Sequence, residues 1–411
     1  MSKKLVITGM GAVTPIGIGV DAYWENLIAG KTGIDYITSI DTEELPVKFA
    51  GECREFVAKE FMPRKLSSEM DRFMQLAFVA ANQAIENSGG VVEPYRTGIT
   101  VGTALNGIKT ITETERQYTK SAFKRVGPRF LPKSLGNVSA SQIAIANDIH
   151  GPSMTLNTAC ASGGDAITLA SLMINGGMAD TMVAVGAESG TETILIQSLA
   201  GAQALSVFNE DPKRACRPFD KDRDGFVLGE GAGALVIETE EHAKARGAKI
   251  YAYILGCGNN TDAYHPVTPR PDGEGEILCM KQALETAGIG LDEIGYINAH
   301  GTATIKGDIV ESESVREVFG DHADNIVLNS TKAATGHMMG AGGITEVITC
   351  VKALETGLVA PTLNLENKDP ECNLNYVSEL TKVEGLKYAM SNAFGFGGQN
   401  SSIIVGKYEK S

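Results

Sequence analysis

The sequence predicts an α/β fold in which helices pack on the faces of β-sheets. Short apolar runs suited to buried strands recur along the chain, and apolar residues at helical spacing fill many of the intervals between them. This alternation is typical of layered α/β proteins. The predicted strands are residues 5–8, 98–102, 181–186, 234–237, 250–255, 296–298, 326–329 and 402–405, and the predicted helices are residues 70–87, 161–176, 275–287, 308–319 and 343–357.

The alternation of strands and helices occurs on both sides of residue 250. No proline- or serine-rich linker divides the chain and no short repeat is visible. We therefore expect two fused α/β units, residues 1–250 and residues 251–411, rather than two domains on a flexible tether.

Composition and charge exclude several classes of partner. The net charge of −14 disfavours nucleic acid and anionic membrane surfaces, because both require a positive protein surface. No apolar run approaches the roughly 18 residues of a membrane span. The seven cysteines form neither a CxxC pair nor a cysteine–histidine set at zinc-finger spacing. These features predict a cytoplasmic, reducing location without membrane insertion, and an acidic partner would need a local basic patch.

Cys160 lies where a thiol can become reactive. It stands among small residues at a predicted strand-to-helix turn, and a helix N-terminus can lower a thiol pKa from near 8.5 towards about 7. Small neighbours also leave room for an acyl group. The alternative is that a free cysteine is simply a small buried hydrophobe, which is how we interpret Cys216 and Cys350.

Two histidines and a lysine follow predicted strands in the second half. His300 follows one strand, and Lys332 and His337 follow the next. Strand-end loops commonly carry reactive side chains, because a rigid sheet fixes their position while the loop exposes them. A satisfied loop histidine is the alternative for each one alone. Metal binding is disfavoured, since the sequence has no HExxH motif and no third ligand at fixed spacing.

Three glycine-rich segments need separate interpretations. Residues 9–14 follow a strand like a dinucleotide-binding turn, but threonine replaces the third glycine, so a nucleotide site is disfavoured. Residues 229–233 lead into a strand rather than a helix and favour close backbone packing. Residues 395–398 fit either a turn or a moving gate.

Taken together, these segments resemble the β-ketoacyl-acyl-carrier-protein synthases of the thiolase superfamily, most closely the synthase II type. The resemblance covers essentially the whole chain. It implies a thiolase-like, five-layered αβαβα fold of two similar fused halves. It also implies an acyltransferase that extends an acyl chain by decarboxylative condensation with malonyl-carrier during fatty-acid elongation. The residues that carry the resemblance are 6–17, 158–163, 217–220, 223–233, 262–265, 300–304, 330–337 and 392–400.

The resemblance assigns catalytic roles. Cys160 is expected to be the acylated nucleophile, and its backbone N–H with that of the gating residue Phe396 to form an oxyanion hole. His300 and His337 are expected to hold the enolate oxygen left when malonyl loses carbon dioxide. Lys332 is expected to keep this pair oriented, with Glu346 as its own partner. Which histidine moves protons stays open.

The substrate-binding residues are also implied by the resemblance. Thr302 and Thr304 match hydroxyls that bind the phosphopantetheine arm of the acyl carrier protein, which arrives as substrate, so no permanently bound cofactor is expected. Leu105 matches a residue lining the distal acyl pocket. The chain departs from the family pattern in two places. It has Thr304-Ile305-Lys306 where a threonine-proline pair is usual, and His265-Pro266-Val267-Thr268 where a threonine usually comes soon after the Asp-Ala-Tyr-His segment.

The basic cluster that usually meets the acidic carrier is only partly present. Arg64 and Lys65 match it, whereas Ser68, Glu69 and Gln203 stand where basic residues are common. Two interpretations remain equal: a specialised carrier, or a general fatty-acid carrier for which these residues suffice together with Lys124 and Arg125.

Three alternatives to a fatty-acid synthase share the fold. A dedicated ketosynthase of a dissociated polyketide pathway, paired with a chain-length-factor subunit, keeps all the same catalytic residues. The cysteine-free chain-length factor itself is disfavoured by Cys160. A degradative thiolase generally has a second cysteine near its end, and none follows Cys372. Apart from a heterodimer of the polyketide type, the family predicts a homodimer.

Overall fold

The computed structural model describes residues 3–122 and 125–409. The strands are β1 (Leu5–Thr14), β2 (Gly17–Ile18), β3 (Ile34–Tyr36), β4 (Phe49–Gly51), β5 (Thr97–Gly102), β6 (Ser153–Leu156), β7 (Thr181–Glu188), β8 (Gly231–Thr239), β9 (Ala252–Thr261), β10 (Ile294–Asn298), β11 (Val327–Asn329), β12 (Leu358–Val359), β13 (Thr381–Lys382), β14 (Tyr388–Gly395) and β15 (Gln399–Lys407). The helices are α1 (Val20–Ile28), α2 (Arg64–Ser67), α3 (Arg72–Asn87), α4 (Ile108–Lys120), α5 (Phe130–Ser134), α6 (Asn137–Asn147), α7 (Ser162–Asn175), α8 (Thr193–Gly201), α9 (Glu240–Ala245), α10 (Glu274–Ala287), α11 (Ile305–Phe319), α12 (Lys332–Thr335) and α13 (Gly342–Thr356).

The main sheet consists of two five-stranded halves with the same pairing pattern. In the first half the order from the centre is β1, β8, β7, β5, β6, and in the second half it is β9, β15, β14, β10, β11. In each half the first two pairings are antiparallel and the last two are parallel. The halves join where β1 pairs with β9.

Helices complete five layers. The central helices α7 and α13 contact strands of both halves and each other, α3 covers the outer face of the first half, and α10 covers the outer face of the second. The central contact is made by backbone, since a Cβ at Gly343 would lie 2.5 Å from the amide nitrogen of Gly164. The predicted five-layered fold of two similar halves is confirmed.

Every strand and helix predicted from periodicity is present, with ends displaced by a few residues. The prediction missed β14, the partner of β15, because polar residues such as Asn392 interrupt its apolar pattern. The structure buries Asn392 against a polar residue of β15, with Ser402 Oγ donating to Asn392 Oδ1 at 2.8 Å. Among the described residues, no helix is both long enough and apolar enough to cross a membrane.

Candidate active site

Cys160 lies in a tight turn that precedes the central helix α7. The turn spans Ala159–Ala161, and Ala159 has a φ of 50°, a left-handed conformation that L-residues other than glycine rarely adopt. The second half has a matching turn, Met339–Ala341, in which Met339 has a φ of 41° before α13. The duplicated fold thus places two equivalent turns side by side, and only the first carries a thiol.

The thiol of Cys160 contacts an imidazole from the other half. His337 Nε2 lies 3.0 Å from Cys160 Sγ, although the residues are 177 positions apart, and the cysteine is 5% exposed. Burial raises the pKa of the thiol to about 11, against the opposing effects of the Phe396 backbone N–H and of Lys332. The expectation of a thiol pKa near 7 is therefore wrong for this state, because desolvation outweighs the groups that favour the thiolate.

The two histidines stand edge to face beside the cysteine. Their ring centroids are 5.4 Å apart with an interplanar angle of 84°. One ring nitrogen of each histidine and Cys160 Sγ all lie within 4.8 Å of one another. Burial first, and then the charge of Lys332, holds the pKa of both imidazoles well below the usual range. Two neutral imidazoles can donate hydrogen bonds without protonating a nearby carbanion.

The fold supplies the third metal-ligating atom that the sequence lacked. Cys160, His300 and His337 are close enough to hold a metal ion, and theirs is the one such group of histidine, cysteine and acidic side chains among the described residues. One feature argues against a cation there, because the charge of Lys332 that lowers the histidine pKa values also repels a cation.

Lys332 forms a buried ion pair with Glu346. The lysine is 2% exposed, and its Nζ donates to Glu346 Oε1 on α13. Burial raises the pKa of the Glu346 carboxyl, and Lys332 opposes that rise. A buried charge is tolerated only when it is paired in this way, so the pair holds a fixed positive charge next to the histidines.

A cavity of about 660 Å³ opens onto these groups. Its lining includes Cys160, His300 and His337, and also Thr302 and Thr304, whose hydroxyls lie 3.1 Å apart. The cavity therefore leads from the surface to the thiol through a polar stretch of wall.

Comparison with known proteins assigns the fold and this arrangement to one family. The profile described as beta-ketoacyl synthase, N-terminal domain, matches residues 2–243, and the corresponding C-terminal domain profile matches residues 251–366. The chain belongs to the beta-ketoacyl synthase family. It is 41% identical over 410 residues to 3-oxoacyl-[acyl-carrier-protein] synthase 2 of Vibrio cholerae, covering 98% of this chain and 99% of that protein. The enzyme of the same name from Staphylococcus aureus is 40% identical over 411 residues, with 99% of each chain covered.

Solved structures of the family share the fold over the whole chain. A beta-ketoacyl synthase from Burkholderia phymatum has a TM-score of 0.91 and 33% identity, covering 99% of this chain and 100% of that one. The ishigamide ketosynthase/chain length factor has a TM-score of 0.93 and 31% identity, covering 100% of both chains. The structure of a type II polyketide acyl carrier protein in complex with its ketosynthase has a TM-score of 0.92 and 29% identity, covering 99% of this chain and 100% of that one.

Two buried acids that the sequence analysis missed hold the loop that carries His300. Both oxygens of Glu311 accept backbone N–H groups, from His300 at 2.7 Å and Gly301 at 2.8 Å. Asp308 accepts the N–H of Ala303 at 3.2 Å and pairs with Arg223 at 3.4 Å. Burial raises the pKa of Glu311 to about 7 and that of Asp308 to about 6. The sequence did contain a signal for these two acids, because they lie three positions apart in α11 directly after the histidine motif.

The glycine-rich segment after β14 lies over the cysteine. The backbone N–H of Phe396 donates to the Cys160 sulfur, and the Phe396 ring stands 6.4 Å from that of Phe226. Gly397 and Gly398 have φ values of 89° and 71°, which require glycine. The segment is thus a glycine turn that also reaches the reactive atom.

Leu105 lies outside the set of residues that line the cavity. A Cβ on Gly190 would lie 2.7 Å from Leu105 Cδ1, and the Leu105 N–H donates to buried Glu188 at 3.2 Å. Leu105 packs against an apolar cluster next to Leu195. The structure therefore does not bring Leu105 to the same cavity as the catalytic residues.

The predicted docking residues are exposed on α2. Within the described residues, the side chains of Arg64 and Lys65 form no ion pair. Arg129 adds a third positive charge close by, since its Nη1 donates to Ser68 Oγ at 3.5 Å. Arg125 is also exposed, and Lys124 lies outside the described residues.

Proposed function

We propose that this chain is a β-ketoacyl-acyl-carrier-protein synthase that extends acyl chains by decarboxylative condensation with malonyl-carrier. The observation that carries the proposal is the 3.0 Å contact between Cys160 Sγ and His337 Nε2, with His300 beside them in one cavity. The names of the relatives, 3-oxoacyl-[acyl-carrier-protein] synthase 2, support the same activity.

The first half-reaction transfers the acyl group to Cys160. The thiol proton passes to His337 Nε2, and the sulfur attacks the carbonyl of the carrier-bound acyl thioester. The backbone N–H groups of Cys160 and Phe396 stabilise the oxyanion. The carrier thiolate leaves and takes a proton from solvent to become free thiol, and His337 releases its Nδ1 proton to solvent. His337 is then neutral with its proton on Nε2, as a donor for the next step.

The second half-reaction forms the carbon–carbon bond. Malonyl thioester loses carbon dioxide, and the resulting enolate oxygen accepts hydrogen bonds from His300 and His337. The enolate carbon attacks the acyl carbonyl on Cys160, the sulfur leaves as thiolate, and 3-oxoacyl-carrier is released. The thiolate takes the Nε2 proton of His337, whose Nδ1 takes a proton from solvent, so the starting state is restored. Burial, and then the charge of Lys332, keeps both imidazoles neutral, so that they act as donors rather than as acids that would quench the carbanion.

The partners follow from this reaction. The substrates arrive on the phosphopantetheine arm of an acyl carrier protein, with Thr302 and Thr304 holding the arm and Arg64 and Lys65 meeting the carrier. No permanently bound cofactor is required. We propose that the protein acts in fatty-acid elongation as a homodimer. Each chain would divide into two units, residues 1–250 and residues 251–411. Leu105 stays a proposal for the distal acyl pocket, outside the present cavity.

A dedicated polyketide ketosynthase is the second candidate. It is favoured by the solved structures of a ketosynthase/chain length factor and of a type II polyketide carrier complex, which share the fold over the whole chain. Co-purification of a related chain without the cysteine would support this candidate. Condensation assays with the fatty-acid carrier of the host and with any carrier encoded beside this gene separate the two, because the fatty-acid function predicts saturated chains and use of the general carrier.

The central test of the proposal is acylation of Cys160. Incubation with octanoyl-carrier should add one octanoyl group to this residue, detected by mass spectrometry of peptides, and Cys160→Ala should abolish both acylation and condensation. Cys216→Ala is the matched control, because it removes the sulfur of another buried cysteine. Acylation of a different cysteine, or condensation by Cys160→Ala, would show that the assignment is wrong.

A further inference from the structure

The mouth of the active-site cavity carries a single basic side chain. Of the described residues that line the cavity, Lys306 is the one lysine or arginine, whereas Asp224, Asp262, Glu276, Asp308 and Glu311 supply acidic groups. Lys306 is exposed and, within the described residues, has no ion-pair partner. It therefore offers a free positive charge where an elongated substrate would enter, and the rest of the described lining gives an anion no second basic group.

The local structure also leaves Lys306 in need of an anion. It lies in the first turn of the 15-residue helix α11, where a cation faces the positive end of the helix dipole. The capping position is held by Thr304, whose side chain makes no cap hydrogen bond and instead contacts Thr302 at 3.1 Å. An anion next to Lys306 would balance its charge and would also be close to the open N–H groups of this turn.

The residues from 302 to 306 form a gradient of depth that matches the chemistry of the carrier arm. Thr302 is 7% exposed and Thr304 is half-buried, whereas Ile305 is 57% exposed and Lys306 is exposed. A phosphopantetheine arm presents, from thioester outward, two amides, a hydroxyl, a carbon with two methyl groups and a phosphate. Hydroxyls deep in the cavity, an apolar pair of Ile305 and Val267 at its rim and a lysine outside follow the same order.

We propose that Lys306 binds the phosphate of the phosphopantetheine arm and so sets how far the thioester reaches towards Cys160. The inference rests on the proposed function, since it names a residue that positions its substrate. It also gives a reason for the Thr304-Ile305-Lys306 segment, where the sequence departs from the family pattern.

The experiment compares two small substrates that differ only in the phosphate. Octanoyl-phosphopantetheine and octanoyl-pantetheine are offered separately, and acylation of Cys160 is followed by mass spectrometry. We expect the unmodified protein to prefer the phosphorylated substrate by about two- to fivefold in kcat/KM, as for one solvent-exposed ion pair. Lys306→Ala should remove this preference, Lys306→Arg should retain it, and added salt should reduce it.

The preference is a ratio measured within one variant, so a general loss of activity or stability cancels. Lys281→Ala, which removes an exposed lysine on α10 outside the cavity, is the matched control and should keep the preference. Equal rates with both substrates in the unmodified protein, or an unchanged preference in Lys306→Ala, would overturn the inference while leaving the proposed function standing. Failure of both substrates to acylate Cys160 in the unmodified protein would instead remove the proposed function, and the inference with it.

Discussion

At the scale of single residues, the proposed chemistry depends on keeping one thiol and two imidazoles neutral until substrate arrives. Burial raises the pKa of Cys160 to about 11, and burial together with Lys332 holds the pKa of His300 and His337 low. The thiol is therefore protected from adventitious reaction, and its proton has one acceptor at 3.0 Å. This arrangement predicts different tasks for the cysteine and for the histidines.

Replacing the histidines should separate the two half-reactions. We expect His300→Ala still to transfer an acyl group to Cys160, and His337→Ala to transfer it more slowly at neutral pH because its proton acceptor is lost. Both variants should decarboxylate malonyl-carrier about a hundredfold more slowly or worse, because one donor to the enolate oxygen is lost. Release of labelled carbon dioxide and mass spectrometry of the acyl-enzyme measure the two steps. His150→Ala, at an exposed histidine outside the site, is the control. Normal decarboxylation by either variant would exclude that histidine from binding the enolate.

The pH dependence of acylation should reveal the proton acceptor. Transfer from Cys160 to His337 moves a proton within the pair without changing its total, so the acylation rate should be flat between about pH 6 and about pH 9. In His337→Ala the thiolate must form by ionisation from a pKa of about 11, so the rate should rise about tenfold per pH unit below that value. Stopped-flow acylation gives both profiles. A steep profile in the unmodified protein would show that His337 does not accept the proton.

At the scale of elements, the site depends on the close packing of the central helices. Helix α7 follows Cys160 and α13 carries Glu346, so the spacing of the two helices sets the spacing of the thiol and the Lys332 ion pair. The contact is limited to glycine, because a Cβ at Gly343 would meet the backbone of Gly163 and Gly164. Backbone cannot rotate away from such a clash as a side chain can.

Gly343→Ala should therefore destabilise the protein and disturb the site. We expect a loss of about 1–3 kcal/mol in the free energy of unfolding, measured by chemical denaturation, together with slower acylation of Cys160. Gly201→Ala is the matched control, since a Cβ there meets nothing within 4 Å, and it should remain within about 0.5 kcal/mol of the parent. Equal stability of the two variants would mean that the central helices can move apart freely.

At the scale of the whole molecule, the question is how a chain with a net charge of −14 meets an acidic carrier. Arg64, Lys65 and Arg129 form a small basic surface around α2, separate from the cavity lining. Charges at the edge of an interface act mainly on association rate and are screened over about 8 Å at physiological salt. The carrier complex should therefore be weak and salt-sensitive.

Reversing the charge of this surface should affect the carrier but not the chemistry. The double variant Arg64→Glu/Lys65→Glu should raise the KM for acyl-carrier about tenfold at low salt, with kcat unchanged, and the difference should shrink as salt is added. Acylation by the same acyl group on pantetheine alone should not change. The double variant Lys281→Glu/Lys387→Glu, at two exposed lysines of the second half, controls for a net-charge change of the same size. A KM equal to that of the parent would place carrier docking elsewhere.

The sequence by itself determined the layered α/β class, the two halves and the strand-end positions of His300, Lys332 and His337. These features follow from periodicity and turn residues, which act between neighbours in the chain. Tertiary structure alone decided which side chains converge. It brings Cys160 to His337 across 177 residues, uses Glu311 and Asp308 to hold the His300 loop, and leaves Leu105 outside the cavity. It also reversed the expected ionisation of the thiol, because desolvation depends on everything packed around Cys160 and no local sequence pattern records it.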